Sequence, residues 1–388
     1  MRCDVVVIGA GPAGLFAALC LLRQGFQVAV LEEHEVVGVP ADCSGVVGVD
    51  AFGVLGFDGF TVLGEVRQLA LFSPGGIRVD FTAAASLASV VDRARFDQRL
   101  AAEVTAASGI LRTGWHVTNV GVEADGVVVR RAGGAEPTVR ARLAILACGP
   151  RYHLQKALGL GTPGAFLHTA QVEVEARDLP CAQVHFGSAV APGSFAWAVP
   201  FWRDGRALAR VGVSSTGPAE APLSALLGRL RDDGRVGEDV SPPRRWPIPI
   251  LPLARTYADR VLVVGDAAGQ AKATSGGGIY YSLLCARMAA ETAARAMAAG
   301  DLSARFLGRY ERAWRQQIGL ELRAGRLFRF LFERLEDSEI DEVFRIIASD
   351  GILPTLSQKV RFDWHAETIR CVLRHPAIAG VFLRGFFR

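Results

Sequence analysis

The chain has 388 residues, half of them hydrophobic, with a formal net charge of +4, which predicts a large core shared by two closely joined domains and excludes disorder. So small a charge, with no zinc-finger spacing and no basic–aromatic stripe, argues against a nucleic-acid partner. Seven scattered cysteines without C-x-x-C spacing indicate neither a disulfide framework nor a zinc site, fit a reducing cytoplasm, and accompany no apolar run long enough for a membrane span.

The first strand is expected at Cys3-Asp4-Val5-Val6-Val7-Ile8, so close to the start that no signal peptide is expected. It runs into Gly9-Ala10-Gly11-Pro12-Ala13-Gly14, then a helix, then Val28-Ala29-Val30-Leu31-Glu32. This order is that of a βαβ dinucleotide site. Gly9 permits the tight turn, Gly11 lets backbone approach a pyrophosphate, and Gly14 allows close helix–strand packing. The helix N-terminus offers unpaired N–H groups to the phosphates, which makes Gly9, Gly11, Pro12, Ala13 and Gly14 candidate cofactor-binding residues. Glu32 is placed to accept both ribose hydroxyls and would repel a 2′-phosphate. NAD and FAD both fit this much.

A glycine-rich excursion follows to about residue 60. Alternation in 66–72 and 77–81, split by Ser73-Pro74-Gly75-Gly76, predicts a hairpin of a second domain. Residues 88–105 are expected to return as a helix. Segments 115–122, 127–131 and 139–147 predict a meander and closing strand, with turns at Asp125-Gly126 and Gly133-Gly134. From about 162 to 250, strand-like stretches at 169–175, 182–186, 195–199 and 207–213 predict an antiparallel sheet. A helix near 222–233 interrupts it, and the proline-rich 241–252 leads back to the first domain.

The choice of ligand falls to Arg260-Val261-Leu262-Val263-Val264-Gly265-Asp266-Ala267-Ala268-Gly269, followed by Thr274-Ser275-Gly276-Gly277-Gly278-Ile279. An NAD dehydrogenase has no need of it. Gly265-Asp266 ends a second buried strand with a carboxylate placed for the ribityl hydroxyls of a flavin. Gly276, Gly277 and Gly278 then open an alanine-rich helix from about Ile279 to Met297, whose N–H groups and dipole suit flavin N1 and O2. The last ninety residues are expected to be helical.

Together these segments resemble the p-hydroxybenzoate-hydroxylase-like flavoproteins, and within them the geranylgeranyl reductase family, over roughly residues 1–300. The resemblance implies an α/β fold: a Rossmann-type FAD-binding domain (1–60, 84–161 and 253–300), an antiparallel-sheet substrate domain (61–83 and 162–252) and a helical C-terminal region (301–388). Val91-Asp92-Arg93-Ala94-Arg95-Phe96-Asp97 matches the family pattern that puts Arg93 near the FAD phosphates. Gly38-Val39-Pro40-Ala41-Asp42-Cys43-Ser44-Gly45 looks like the family's cysteine-bearing loop beside the isoalloxazine. Phe195-Ala196-Trp197-Ala198-Val199-Pro200 resembles its cavity-lining aromatic-x-Trp-x-x-Pro segment. Two departures stand out. Ala147-Cys148-Gly149 replaces the Ala-Asp-Gly of the hydroxylases, and Ala273 stands where a proline is usual, a change expected to loosen the flavin loop.

The implied activity is reduction of carbon–carbon double bonds in an isoprenoid or other lipophilic substrate, with hydride from N5 of a non-covalent FAD. Cys43 is then either a thiol that protonates or holds the substrate alkene, or a small buried hydrophobe. Phe195 and Trp197 share a strand face and are either cavity lining or core; Phe201 and Trp202 extend the lining if the strand persists. Tyr280 either approaches the substrate or packs its helix, and His153, His168 and His185 are expected to be structural. No second glycine fingerprint for a nicotinamide domain is found, so NAD(P)H or a reduced electron-carrier protein would act as a transient donor. Two alternatives remain open: a flavin monooxygenase acting on an apolar molecule, and a flavin electron carrier, which needs no apolar cavity and would be favoured by a closed roof around Trp197. A cytoplasmic location is expected, with peripheral contact at the inner face of the membrane through Phe328, Phe330, Leu331 and Phe332 among Arg323, Arg326, Arg329 and Arg334, and through the tail 380–388. Against that contact stand Glu333, Glu336, Asp337, Glu339, Asp341 and Glu342. Oligomeric state is left open.

Overall fold

The computed structural model describes residues 1–41, 43–133, 139–351, 353 and 360–387, so Asp42, Gly134 and Arg388 lie outside the described residues. Strand β1 (Arg2–Ile8), helix α1 (Pro12–Leu22) and β2 (Val28–Leu31) form the first βαβ unit, with β1 and β2 parallel. The excursion folds as a short strand β3 (Val46–Gly48) and helix α2 (Val49–Leu55). Then come β4 (Val62–Val66), the hairpin β5 (Gln68–Phe72) and β6 (Arg78–Thr82), and β7 (Ala88–Val91). Helix α3 (Arg93–Ala106) leads to β8 (Ile110–Arg112), and β9 (Val117–Val122), β10 (Val127–Arg131) and β11 (Val139–Leu146) form the expected meander.

One expectation fails here. The helix predicted over 88–105 begins only at Arg93, because Ala88–Val91 pairs with both β3 and β4. The switch falls on Asp92, whose side chain caps the helix by accepting from the Arg95 N–H at 3.1 Å.

After α4 (His153–Ala157) come β12 (Phe166–Ala176), β13 (Ala182–His185), β14 (Ala196–Arg203) and β15 (Arg206–Ser215). Helix α5 (Glu220–Asp232) precedes β16 (Val236–Asp239) and β17 (Arg244–Pro249). The proline-rich stretch is thus a strand before it is a connection. Among the described residues it pairs with β12 alone, and an edge position tolerates Pro247 and Pro249, which have no N–H to give. Strands β18 (Tyr257–Ala258) and β19 (Val261–Val263), a single 3-10 turn at Gly265–Ala268 and helix α6 (Ile279–Ala299) complete the second motif. Helices α7 (Ala304–Phe332), α8 (Asp337–Ser349), α9 (Ala366–Arg374) and α10 (Pro376–Phe387) follow.

The first sheet runs β18-β19-β11-β1-β2-β8, with parallel pairs from β19 to β8 and β10 and β9 attached to β11. Its core strands read as continuous apolar runs because both faces are covered. Helix α6 packs on α1, and its buried Ala286, Ala289, Ala290, Ala293 and Ala296 let the two axes approach closely. The second sheet runs β16-β12-β15-β14-β13-β5-β6 and is antiparallel except at β13·β5. A three-stranded sheet, β3-β7-β4, is hydrogen-bonded into neither and packs on the second, Val66, Ala88 and Val90 against Val199, Phe201 and Leu208.

Strand β14 does persist past Pro200, but it does not extend a lining. Phe201 is 2% exposed and packed in a core cluster, whereas Trp202 is 64% exposed. The C-terminal expectation also divides. Phe328, Leu331 and Phe332 pack inward and Arg329 is buried, while Phe330, Leu383, Phe386 and Phe387 are exposed. Several opposing acids are occupied elsewhere: Asp337 holds Ser188, Asp341 holds the Gly75 N–H, and Glu336 and Glu339 cap α8. Among the described residues no helix is long and apolar enough to cross a membrane.

Candidate active site

A cavity of about 780 Å³ brings together residues of both large sheets, the loop after β2 and the C-terminal helices. Gly9, Gly11, Pro12, Ala13, Glu32, Cys43, Arg93, Phe195, Trp197, Asp266, Gly276, Gly277, Gly278, Ile279 and Tyr280 all line it; Gly14 and Gly265 do not.

The glycines of the first motif serve different ends. Gly9 has φ +106°, and a Cβ there would overlap the carbonyl of Ala147. A Cβ on Gly14 would overlap the carbonyl of Gly9. Gly11 alone has no protein atom within 4 Å of where its Cβ would stand, so the cradle at the start of α1 is open toward a ligand. Glu32 faces that cradle. Its carboxylate accepts from the Ala10 N–H at 2.7 Å and the His34 N–H at 3.0 Å, which orients both oxygens.

At the second motif, the half-buried Asp266 carboxyl is pushed above its ordinary range by desolvation, with Trp246 and Arg93 pulling it back. Helix α6 begins at Gly278 with no side-chain cap, leaving its first N–H groups free for an acceptor. The glycine loop before it is tied down. Arg329 donates to the carbonyls of Ala273 at 2.5 Å and Thr274 at 3.4 Å. Lys272 pairs with Asp363 at 2.7 Å, both side chains being 4% exposed. The loosening expected from Ala273 is therefore opposed by two buried cations. Sequence reasoning missed Lys272, Asp363 and Arg329, whose contacts that fasten this loop span 55 to 91 residues of chain.

His365 belongs to the same clasp, through Thr274 Oγ1 at 2.5 Å and the Phe362 carbonyl at 2.8 Å. Burial, with Lys272 adding to it, depresses its imidazole to about 4. Burial likewise lowers His185, stacked on Phe72, to about 4. Both rings are neutral in the fold, so their contribution to stability is complete above the unfolded value near 6.5 and is lost as pH falls toward 4. We expect stability to denaturant to decline between pH 6.5 and 5 by on the order of 1 kcal/mol per pH unit for each ring, and His365→Gln to flatten that slope. An unchanged slope in the variant would show that His365 does not contribute.

Cys43 faces the cavity, and its Sγ accepts from the Gly45 N–H at 3.4 Å. Arg93 grips Asp97 through two bonds of 3.0 and 2.8 Å. Burial works to lower its guanidinium, but Asp97 and Cys43 outweigh it and hold the group above its ordinary value. Among the described residues Arg93 Nε, though buried, has no hydrogen-bond partner, as expected of a group aimed at a phosphate or flavin oxygen. Phe195 and Trp197, with ring centroids 5.9 Å apart, form an apolar wall beside Leu69, Val184 and Phe186. The closed roof around Trp197 that would suit an electron carrier is not what the structure has. Of the histidines set aside as structural, His153 bonds the Val117 carbonyl at 3.1 Å while lining the cavity, and His168 is exposed.

Two nucleotide-type cradles on one parallel sheet, under a second sheet that walls an apolar chamber, define a flavoprotein, and residues 2–313 match the FAD binding domain family. Gly11, the uncapped α6 N-terminus and the unpaired Arg93 Nε all fit FAD. The chain belongs to the digeranylgeranylglycerophospholipid reductase family of FAD-dependent oxidoreductases. It is 32% identical to digeranylgeranylglycerophospholipid reductase 2 of Methanothermobacter thermautotrophicus, covering 89% of this chain and 91% of that one. In fold it is similar to a geranylgeranyl bacteriochlorophyll reductase-like protein of Thermoplasma acidophilum, with TM-score 0.86, 19% identity and 99% of both chains covered. A halogenase PltM variant in complex with FAD shares the fold at TM-score 0.70 and 16% identity, over 99% of this chain and 90% of that one.

Proposed function

We propose that the chain reduces the carbon–carbon double bonds of a digeranylgeranylglycerophospholipid, the substrate class in the names of its relatives. The observation that carries this is the shared cavity: the apolar wall at Phe195 and Trp197, the Cys43 thiol and the flavin cradle all open into one chamber. In this reading residues 1–60, 84–161 and 253–300 hold the cofactor, 61–83 and 162–252 cover the substrate, and 301–388 brace both. FAD supplies the hydride equivalent when bound. Gly9, Gly11, Pro12, Ala13 and Glu32 seat its ADP half with Gly14 packing behind them, Arg93 a phosphate, and Asp266 and Gly276 to Ile279 its ribityl chain and ring, with Gly265 making the turn that presents Asp266. The aromatic wall and Tyr280 hold an isoprenoid chain and exclude water. Cys43 gives its proton to the second alkene carbon and regains one from solvent. The donor, NAD(P)H or a reduced carrier protein, visits transiently.

We further propose that the protein works in the cytoplasm at the inner face of a membrane, from which such a lipid must be drawn. Exposed Leu320, Leu327, Phe330, Leu383, Phe386 and Phe387 lie on α7 and α10, with Arg334 over the Phe330 ring at 3.5 Å. One experiment addresses both readings. Dithionite-reduced holoenzyme is mixed with digeranylgeranylglycerophospholipid in detergent or in anionic vesicles, the vesicles are sedimented at low and high salt, and the lipid is weighed by mass spectrometry. A gain of two hydrogens per double bond, and salt-sensitive co-sedimentation, are expected. An unreduced lipid in detergent overturns the substrate; reduction without sedimentation at low salt overturns only the membrane contact.

A further inference from the structure

Strands β12, β15 and β14 place Gln171, Gly212 and Trp197 in one cross-strand row. Side chains in such a row leave the sheet on the same face. Its middle position has no side chain, and a Cβ on Gly212 would overlap the Trp197 indole. The indole therefore lies across the central strand and reaches the third. Its Nε1 donates to Gln171 Oε1 at 3.1 Å, and at the far end of the same amide Nε2 donates to the Cys43 carbonyl at 3.2 Å. An indole N–H can only donate and a carbonyl can only accept, so these two partners dictate which way round the amide sits.

The neighbouring row supports the same loop. Two residues on from Gln171 and two before Gly212, Glu173 and Arg210 are paired in register, and Arg210 Nε donates to Glu173 at 3.0 Å. Arg210 Nη1 donates to the carbonyls of Ser44 at 2.8 Å and Val91 at 3.1 Å, and a Cβ on Gly45 would overlap that guanidinium. The cysteine loop is thus fastened to the second sheet at consecutive residues. The Arg210 fastening is rigid. The Gln171 fastening ends on a ring that lines the chamber.

We propose that Gln171 is a positioning residue that ties the substrate-wall tryptophan to the cysteine loop, so that displacement of the indole by an incoming chain is passed to Cys43. This rests on the proposed roles of Cys43 and Trp197. Gly212 is part of the device, because only glycine leaves room for the indole to cross.

The test reads Cys43 directly. In FAD-loaded protein, alkylation of Cys43 by iodoacetamide is followed across pH by peptide mass spectrometry. Gln171→Met keeps the length of the side chain and removes both hydrogen bonds; Gln171→Glu keeps the acceptor for the indole and loses the donor to the loop. Both are expected to change the alkylation rate about 5-fold or more and to move its pH midpoint, with FAD content retained. With digeranylgeranylglycerophospholipid and dithionite, kcat should fall about 10-fold while KM moves less than about 3-fold. Should Gln171→Met fail to fold, Trp197→Phe, which removes the indole donor together with one ring of the wall, carries the same expectation for the alkylation rate and its pH midpoint. An alkylation rate and pH midpoint equal to wild type in a folded variant overturn the tie, whatever the lipid assay shows. Altered alkylation with unaltered reduction supports the tie and overturns the catalytic role of Cys43.

Discussion

Gly11→Phe is expected to give a folded protein that binds FAD about 100-fold or more weakly than wild type, a loss of about 2.7 kcal/mol or more. The backbone at Gly11 is extended, with φ −77° and ψ 177°, a conformation open to any residue. The protein itself sets no steric objection, since nothing lies within 4 Å of the added Cβ. The side chain must project from the N-terminus of α1 into the cradle where a pyrophosphate would take the N–H groups. Gly14→Ala is the contrasting variant. Its methyl would overlap the Gly9 carbonyl, so it should lower the stability of the apoprotein as well as its flavin content. Fluorescence titration of apoprotein with FAD, beside thermal unfolding without it, separates the two. Wild-type affinity in Gly11→Phe would mean that the first motif does not hold the pyrophosphate.

Both cradles were legible because their chemistry is local. A glycine turn, a helix N-terminus and a carboxylate at a strand end fall within about 25 residues, and short spacing carries the geometry. What escaped was set by contacts between distant segments. Lys272 reads as an ordinary surface lysine until Asp363 is folded against it at 2.7 Å. Arg329 reads as one arginine among many on an amphipathic helix, yet it donates to three carbonyls of two other segments. The lining expected of Phe201 and Trp202 failed for another reason. Alternation shows that the two rings face opposite ways, but not which face is buried or what buries it. Gly212 did carry a signal, because an isolated glycine within an apolar strand marks a close approach. Its partner in that approach is the tryptophan of the next strand, which only the register reveals.

Cys43→Ala is expected to keep FAD and its binding affinity while losing about 100-fold or more of alkene reduction, the loss that follows removal of a positioned acid. Cofactor seating should survive because the cradles are built from backbone and from Glu32, Asp266 and Arg93, and the thiol sulfur gives up a 3.4 Å bond to the Gly45 N–H and its contact with an Arg93 that Asp97 still holds through two bonds. The loop should hold its place as well. Arg210 and Gln171 fasten it by the carbonyls of Ser44 and Cys43, which alanine retains. The loss would then fall on proton delivery alone, and single-turnover oxidation of the dithionite-reduced variant by digeranylgeranylglycerophospholipid measures that step without the unidentified donor. Cys43→Ser tests the acid further, since a hydroxyl of similar size is far less acidic than a thiol and should restore little of the rate. If Cys43→Ala reduces the lipid at the wild-type rate, the thiol is structural and the proton comes from water or another side chain. If flavin is lost with the activity, the loop serves the cofactor rather than the substrate.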